Sequence, residues 1–262
     1  MKLGLGTALG YSSSGNRPLS DFSLSDISGL QTWFQFNTNI SVADSDSDGD
    51  ADISWTSSHT DGIVASQTSD SPANQEPTTT GGYIHFDGTD DNLDMDSTLT
   101  LNEFTMFIAM DLDATTNETV LGEQSNTQHF LRFGFGNAAN NFRFRRGDAA
   151  TNNEEGPMSE SITTGEVNLM TIRCFNTPST SNTTLEIRRS TKSGSTITTN
   201  QVFNDTGSTF LFADDLLINT IGVQGGSGGP MDGKLYELAV YTGKVSDSDV
   251  ALIEENILNR VS

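Results

Sequence analysis

The chain has 262 residues, a formal net charge of -22 at pH 7 and a single cysteine. This negative charge would repel nucleic acid and anionic lipid, because both are bound mainly through Lys and Arg that neutralise phosphate. A lone cysteine excludes an internal disulfide framework, and no stretch reaches the roughly 18 consecutive apolar residues of a membrane-spanning helix. We therefore expect neither nucleic acid nor membrane as a partner. The length and the 15 Phe residues suit one β-sandwich domain with a sizeable core.

Residues 1–24 form the first predicted unit, an N-terminal arm ahead of a domain over residues 25–262. The arm is rich in Gly and Ser and contains a Pro, a composition that is ordered only where something else holds it. Glycines interrupt the apolar run that a secretory signal would need. We therefore expect the arm to belong to the mature chain.

An alternation of apolar and polar residues with a period of two predicts strands along the domain. In residues 103–111, one face carries four large apolar side chains and Phe107 makes the other face partly apolar, which is typical of an inner strand. Residues 129–135 and 141–146 alternate in the same way around a turn-forming GNAAN stretch, which predicts a β-hairpin. Further strands are predicted at residues 32–36, 82–86, 167–175, 184–190, 216–224 and 234–242.

One helix is expected at the end of this all-β pattern. Ser246 and Asp249 have the spacing of a capping box. Val250, Ile253 and Ile257 follow at helical intervals. The sequence therefore predicts a short amphipathic helix that packs on the sandwich.

Three stretches, in order over residues 25–262, resemble the laminin-G-like and concanavalin-A-like jelly-roll modules of bacterial surface proteins and phage virion structural proteins. They are LQTWFQFNTNISV with the Trp-containing ISWTSSHTDGIVASQ, then GGYIHFDGTDDNLDM, and last MDGKLYELAVYTGKVSDSDVALIEENIL. Asn92 departs from the family pattern, because an aromatic residue usually follows Phe-Asp-Gly-Thr-Asp-Asp. The resemblance implies an all-β fold, an antiparallel jelly-roll sandwich of the concanavalin-A-like type with a short C-terminal helix.

The FDGTDD motif has a structural interpretation of its own. Asp87 and Gly88 suit a turn that leaves a buried strand, because glycine tolerates positive φ. Asp90 and Asp91 can bond to nearby backbone amides. We favour this structural role over a ligand contact.

The segment DSDSDGDAD is the most acidic part of the chain. Asp44, Asp46, Asp48, Asp50 and Asp52 occupy alternate positions in it. Counted as a calcium loop, they take positions 1, 3, 5, 7 and 9, but Trp55 stands where an EF-hand needs a bidentate Glu. Two interpretations remain, a DxDxDG calcium site that relieves the mutual repulsion and a solvated acidic loop.

No catalytic arrangement is evident in the sequence. Related β-glucanases place paired carboxylates on one strand as Glu-x-Asp-x-Glu or Glu-x-Asp-x-x-Glu, and this chain has no such run and no GxSxG motif. Cys174 lies in an apolar strand and fits a small core residue. We therefore expect no enzyme. A glycoside hydrolase would need carboxylates from separate strands, such as Asp94 with Glu237.

The resemblance implies a non-enzymatic virion structural protein, a capsid decoration or tail-associated protein that docks through its N-terminal arm. Its partners would be capsid or tail proteins and further copies of itself in a homo-oligomer, and its location the virion surface. The alternative is a carbohydrate-binding or adhesion module for a cell-surface glycan, placed outside the cell or on its surface. Such a module needs exposed aromatic side chains beside polar ones. The candidates are Trp33, Trp55, Tyr83, Tyr236 and Tyr241, most of which have strand positions that predict burial.

Overall fold

The structure is a computed structural model. It describes residues 22–43, 52–67, 77–147, 153–176, 183–205, 214–223 and 229–262. The strands in these ranges are β1 (Leu30–Phe34), β2 (Ile40–Ala43), β3 (Asp52–Thr56), β4 (Val64–Ser66), β5 (Thr78–Thr80), β6 (Tyr83–Asp87), β7 (Leu93–Leu101), β8 (Phe104–Leu112), β9 (Glu118–Glu123), β10 (Asn126–Phe133), β11 (Asn141–Arg146), β12 (Asn153–Pro157), β13 (Asn168–Asn176), β14 (Thr183–Ser193), β15 (Thr196–Asp205), β16 (Leu216–Ile221) and β17 (Asp232–Thr242). A single α-helix, α1 (Asp247–Val261), follows them in the described part of the chain.

The strands form two antiparallel sheets packed face to face. Sheet A has the order β15-β14-β13-β8-β17-β6-β5, and β1 pairs with the second half of β17. Sheet B has the order β12-β11-β10-β9-β16-β7-β4-β3-β2. Strands that are distant in sequence therefore lie side by side, as β8 and β17 do. The predicted all-β antiparallel sandwich with a C-terminal helix is confirmed.

The main core lies between the two sheets. Strand β8 shows how the alternation builds it, because Phe104, Met106, Ile108 and Met110 face sheet B. Phe107 faces the opposite way and belongs to a second apolar cluster on the outer side of sheet A. All nine residues of β8 are consequently buried, which agrees with the inner strand predicted from the sequence.

Helix α1 covers part of the outer side of sheet A and forms a third layer there. The Ser246 hydroxyl accepts a hydrogen bond from the Asp249 backbone N–H at 3.2 Å and caps the helix as predicted. Val250, Ile253 and Ile257 are fully buried in the second apolar cluster. The main contacts of the helix are with β8, β13, β14 and β17.

Two carboxylates are buried between this helix and sheet A, and both have partners. Glu237 accepts a hydrogen bond from Trp33 Nε1 at 2.7 Å and pairs with Arg260. Glu254 accepts from Thr171 Oγ1 at 2.8 Å, and Arg188 Nη2 lies 3.2 Å from its other oxygen. Burial raises the pKa of Glu254 above its usual range, and Arg188 opposes the rise.

The N-terminal arm lies almost entirely outside the described residues. The first described segment already belongs to the packed structure, because Leu24 is fully buried and its carbonyl accepts a hydrogen bond from the Tyr241 hydroxyl at 2.9 Å. The division at residue 24 therefore stays a prediction. Within the described residues, no helix is long and apolar enough to cross a membrane.

Candidate functional site

Helix α1 leaves part of the outer side of sheet A uncovered. There the side chains of β6 and of the start of β17 remain partly exposed. We call this surface the open face and define it by Phe36, Tyr83, His85, Lys234 and Tyr236, all of which are half-buried. On β6, Ile84 and Phe86 point into the main core. The residues between them alternate to the outer side, which places Tyr83 and His85 on the open face.

A β-bulge in β17 directs Tyr236 to the open face. The register with β8 shifts between Leu235, which pairs with Met110, and Glu237, which pairs with Ala109. Tyr236 is therefore the extra residue, and a bulge of this kind turns two consecutive side chains toward the same side of a sheet. Glu237 is buried beside Trp33 and Tyr236 lies among the half-exposed rings.

Three aromatic rings meet on the open face. The Tyr236 ring centroid lies 5.2 Å from that of Tyr83 and 5.9 Å from that of Phe36. Phe36 reaches this place because the Asn37 backbone N–H donates to the Gly82 carbonyl at 2.9 Å. A Cβ on Gly82 would lie 2.5 Å from the Asn37 Cβ, so only glycine permits this approach.

Charged side chains border the rings. Lys234 Nζ lies 3.3 Å from Asp111 Oδ2, 3.4 Å from Asp113 Oδ1 and 6.0 Å from the centroid of the Tyr83 ring. His85 Nε2 lies 3.1 Å from Asp113 Oδ2. Ligand atoms of His85, Asp113 and Asp232 all lie within 4.8 Å of one another. The open face thus combines aromatic rings with both hydrogen-bond donors and acceptors.

The surroundings shift several ionisation equilibria here. Burial by itself lowers the pKa of Lys234, but Asp111 and Asp113 outweigh this effect and the pKa is raised. Burial raises the pKa of the Tyr236 phenol, and Asp111 adds to the rise. Burial also raises the pKa of Asp232, with Asp113 acting in the same direction and His85 opposing it. At neutral pH the Lys234 ammonium and the neutral Tyr236 phenol can therefore both donate hydrogen bonds.

The FDGTDD motif forms the turn between β6 and β7, next to the open face. The Asp87 backbone N–H donates to Asp91 Oδ2 at 2.7 Å, and the Thr89 backbone N–H donates to Asp87 Oδ1 at 2.8 Å. Gly88 has a φ of 76°, and a Cβ there would lie 2.7 Å from the Asp232 Cβ. Asp91 thus bonds to a backbone amide as expected, whereas the second such bond is made by Asp87 and not by Asp90.

The acidic segment predicted to hold calcium is largely outside the described residues. Asp44, Asp46, Asp48 and Asp50 all fall there. Asp52 is described as the first residue of β3, where it is buried and lies opposite Ala43 of β2. The calcium site on this segment stays a prediction.

The structure separates the carboxylates that were considered as a hydrolase pair. Asp94 alternates with the core residues Leu93 and Met95 and so lies on the outer side of sheet B. Glu237 lies on the outer side of sheet A beneath the helix. Cys174 is fully buried, and burial raises the pKa of its thiol to about 12. It is a core residue, as expected.

The five aromatic candidates divide into two groups. Trp55 and Tyr241 are fully buried, and Trp33 is 7% exposed. Tyr83 and Tyr236 are half-exposed on the open face. No pattern in the sequence indicates Phe36 as a third member, because its position depends on the contact between Asn37 and Gly82.

No protein-family model matches the chain, and no curated protein matches its sequence significantly. Solved structures share its fold. Domain 4 of an extracellular GH43 arabinanase from Geobacillus stearothermophilus, in complex with arabinotriose, has a TM-score of 0.52 and 13% identity, and the match covers 89% of this chain and 98% of that one. An arabinofuranosidase complexed with arabinofuranosyl-α-1,2-xylobiose has a TM-score of 0.50 and 15% identity over 88% of this chain. The Trypanosoma rangeli sialidase in complex with 2,3-difluorosialic acid has a TM-score of 0.51 and 11% identity over 90% of this chain.

These similarities show that the chain has the fold of a β-sandwich domain. The match spans 59% of the arabinofuranosidase chain and 33% of the sialidase chain, so it corresponds to a part of those proteins. The expectation that the chain is not an enzyme, which was drawn from the missing carboxylate pair, is wrong. The same architecture occurs in glycoside hydrolase chains, so the lack of a carboxylate pair on one strand does not exclude an activity. None of these structures is a virion protein.

Proposed function

We propose that the chain is an extracellular carbohydrate-binding module and that its open face binds a neutral oligosaccharide. The observation that carries this proposal is the group of half-exposed rings of Phe36, Tyr83 and Tyr236 beside the side chains of Lys234 and Asp113. Exposed aromatic surface next to a few convergent polar groups is the usual composition of a small-ligand site.

The chemistry of the open face fits the two sides of a sugar. The apolar C–H face of a pyranose or furanose ring can stack on an aromatic ring, which contributes buried area at low entropic cost. Its hydroxyl groups can donate to the carboxylates of Asp113 and Asp232 and accept from Lys234 or His85. Hydrogen bonds to charged groups are the stronger kind and fix the orientation of the sugar.

The balance of charge selects neutral sugars. Among the described residues, Asp111, Asp113 and Asp232 outnumber the one permanent cation, Lys234, on this part of the surface. The whole chain carries a formal charge of -22. A uronic or sialic acid would therefore meet like charge both at long range and in contact, which costs affinity.

The comparisons support the proposal at the level of the fold. The arabinanase domain is covered over 98% of its length and its structure holds arabinotriose, a neutral sugar. That domain is part of an extracellular protein, which suits the proposed location. The virion hypothesis has only the sequence resemblance in its favour, so we prefer carbohydrate binding.

Binding should be measured by calorimetry with arabinotriose and on an array of neutral and anionic oligosaccharides. In the variants Tyr83→Ala and Tyr236→Ala we expect affinity for the neutral ligand to fall at least tenfold, roughly 1.4 kcal/mol. Phe135→Ala is the matched control, because Phe135 is also a half-buried aromatic residue but packs under Arg143 at the end of β10, with 4.5 Å from the guanidinium carbon to the ring. Its affinity should equal that of the wild type.

Either of two results would overturn the proposal. One is a protein that binds none of the neutral oligosaccharides at millimolar concentration. The other is binding that both tyrosine variants retain while circular dichroism shows them folded. Preferential capture of anionic glycans would refute the assignment to neutral sugars.

A further inference from the structure

One oxygen in the turn between β6 and β7 has no partner although it is buried. The Asp91 side chain is 3% exposed. Its Oδ2 accepts the hydrogen bond from the Asp87 backbone N–H, but its Oδ1 has no hydrogen-bond partner. Leaving a buried carboxylate oxygen unsatisfied is costly, and such an atom calls for an explanation, of which a bound ion is one.

Two further carboxylates lie close to that of Asp91. Oxygens of Asp87, Asp90 and Asp91 all lie within 4.8 Å of one another. Calcium binds oxygen at about 2.3 to 2.6 Å, so oxygens on one ion are separated by at most about 5 Å. A single calcium ion can therefore contact all three side chains without a change in the course of the turn.

Within the described residues, no Lys or Arg forms an ion pair with this group. Lys234 pairs with Asp111 and Asp113, and His85 contacts Asp113 and only partly offsets the charge of Asp91. Asp232, the first residue of β17, lies opposite Asp87 of β6 and adds a further negative charge. A divalent cation would offset this repulsion.

We propose that Asp87, Asp90 and Asp91 form a calcium-binding site at the turn that leaves β6. The donors are oxygen atoms only, which selects a hard cation such as calcium over zinc. Three side chains are fewer than the six to eight ligands of calcium, so water completes the shell. These three residues belong neither to the acidic segment around Asp44 nor to the residues that define the open face.

Calorimetric titration of the chelator-treated full chain with calcium chloride tests the proposal. Asp90→Asn is the informative variant, because the Asp90 side chain is half-exposed and makes none of the hydrogen bonds that close the turn. We expect its calcium affinity to fall at least tenfold. The double variant Asp46→Asn/Asp48→Asn is the control, and it should retain the affinity of this site.

Manganese, used as a paramagnetic substitute, locates the ion independently of affinity. In NMR spectra of the wild type it should broaden the amide signals of Gly88 and Thr89, and in Asp90→Asn these signals should persist. The proposal is refuted if millimolar calcium produces no binding heat, or if binding disappears in the double variant and is unchanged in Asp90→Asn. No glycan takes part in these experiments, so their failure and that of the proposed function are distinguishable.

Discussion

The helix divides the outer side of sheet A into two halves that treat their carboxylates differently. In the covered half, Glu237 and Glu254 are almost completely buried, and each lies against an arginine and a further donor. In the uncovered half and its adjoining turn, carboxylates outnumber cations among the described residues, and Asp91 has an unpartnered oxygen. The two buried carboxylates of the covered half are thus paired within the chain, whereas the carboxylates of the turn are free to bind an external partner.

Burial explains why the two halves differ. A charge beneath a helix loses its water, and this loss is tolerated only where a partner and further hydrogen bonds replace it. At the edge of the sheet, water can still reach Asp87 and Asp90. Carboxylates without a cationic partner can therefore persist there. Asp91 is more deeply buried than the other two, and this burial raises its pKa to about 6. A surplus of unpaired groups at a surface edge is the pattern expected of a binding site.

The largest change in stability should come from removing a buried carboxylate of the covered half. Glu237→Ala removes the acceptor of Trp33 Nε1 and the partner of Arg260, so we expect the free energy of unfolding to fall by about 3 to 5 kcal/mol. Urea denaturation followed by tryptophan fluorescence measures it. Glu255→Ala on the exposed side of the same helix is the control, with a change within about 0.5 kcal/mol. A loss below 1 kcal/mol for Glu237→Ala would contradict the interpretation of the covered half.

At Asp91 we expect a substitution to raise the free energy of unfolding. Its pKa is raised from 3.8 to about 6, so the folded state binds more protons than the unfolded state between these values, and stability falls as pH rises through this window. Asp91→Asn removes the charge and keeps an oxygen for the Asp87 amide. In chelator at pH 7 we therefore expect a gain of about 1 to 3 kcal/mol.

The pH dependence of this gain provides its control. Wild type and Asp91→Asn should differ most at pH 7, and the difference should shrink toward pH 4, where Asp91 of the folded wild type is protonated. Urea unfolding at several pH values measures it. A destabilised variant at pH 7, or a gain that does not change with pH, would show that the charge of Asp91 is not the source of the effect.

The sequence predicted the elements that follow a regular period. Strand β8, the hairpin of β10 and β11 and helix α1 were all expected, because a strong apolar alternation or a capped helical stripe is visible without tertiary information. Strand β5 (Thr78–Thr80) was missed, because its three threonines show no apolar alternation, and its pairing with β6 makes it a strand.

The open face could not be predicted, because a bulge and a covering helix change which residues are exposed. A strict period of two in β17 groups Tyr236 with Leu238 and Val240, both of which are in the main core. The extra residue in the strand breaks this period and exposes Tyr236. Tyr241 lies on the outer side like Tyr236, but the second apolar cluster buries it. The unpartnered oxygen of Asp91 likewise depends on three-dimensional contacts that no spacing in the sequence reveals.

The smallest changes in stability are expected when one tyrosine hydroxyl is removed from each half. Tyr241→Phe removes the bond to the buried Leu24 carbonyl at 2.9 Å and leaves that acceptor unsatisfied, so we expect a loss of about 1 kcal/mol. Tyr83→Phe removes a hydroxyl from the half-exposed ring on the open face, where water can replace it, and the change should stay within about 0.5 kcal/mol. The midpoints of urea denaturation at a common slope measure both. Equal losses in the two variants would mean that the halves do not differ in how completely their polar groups are satisfied.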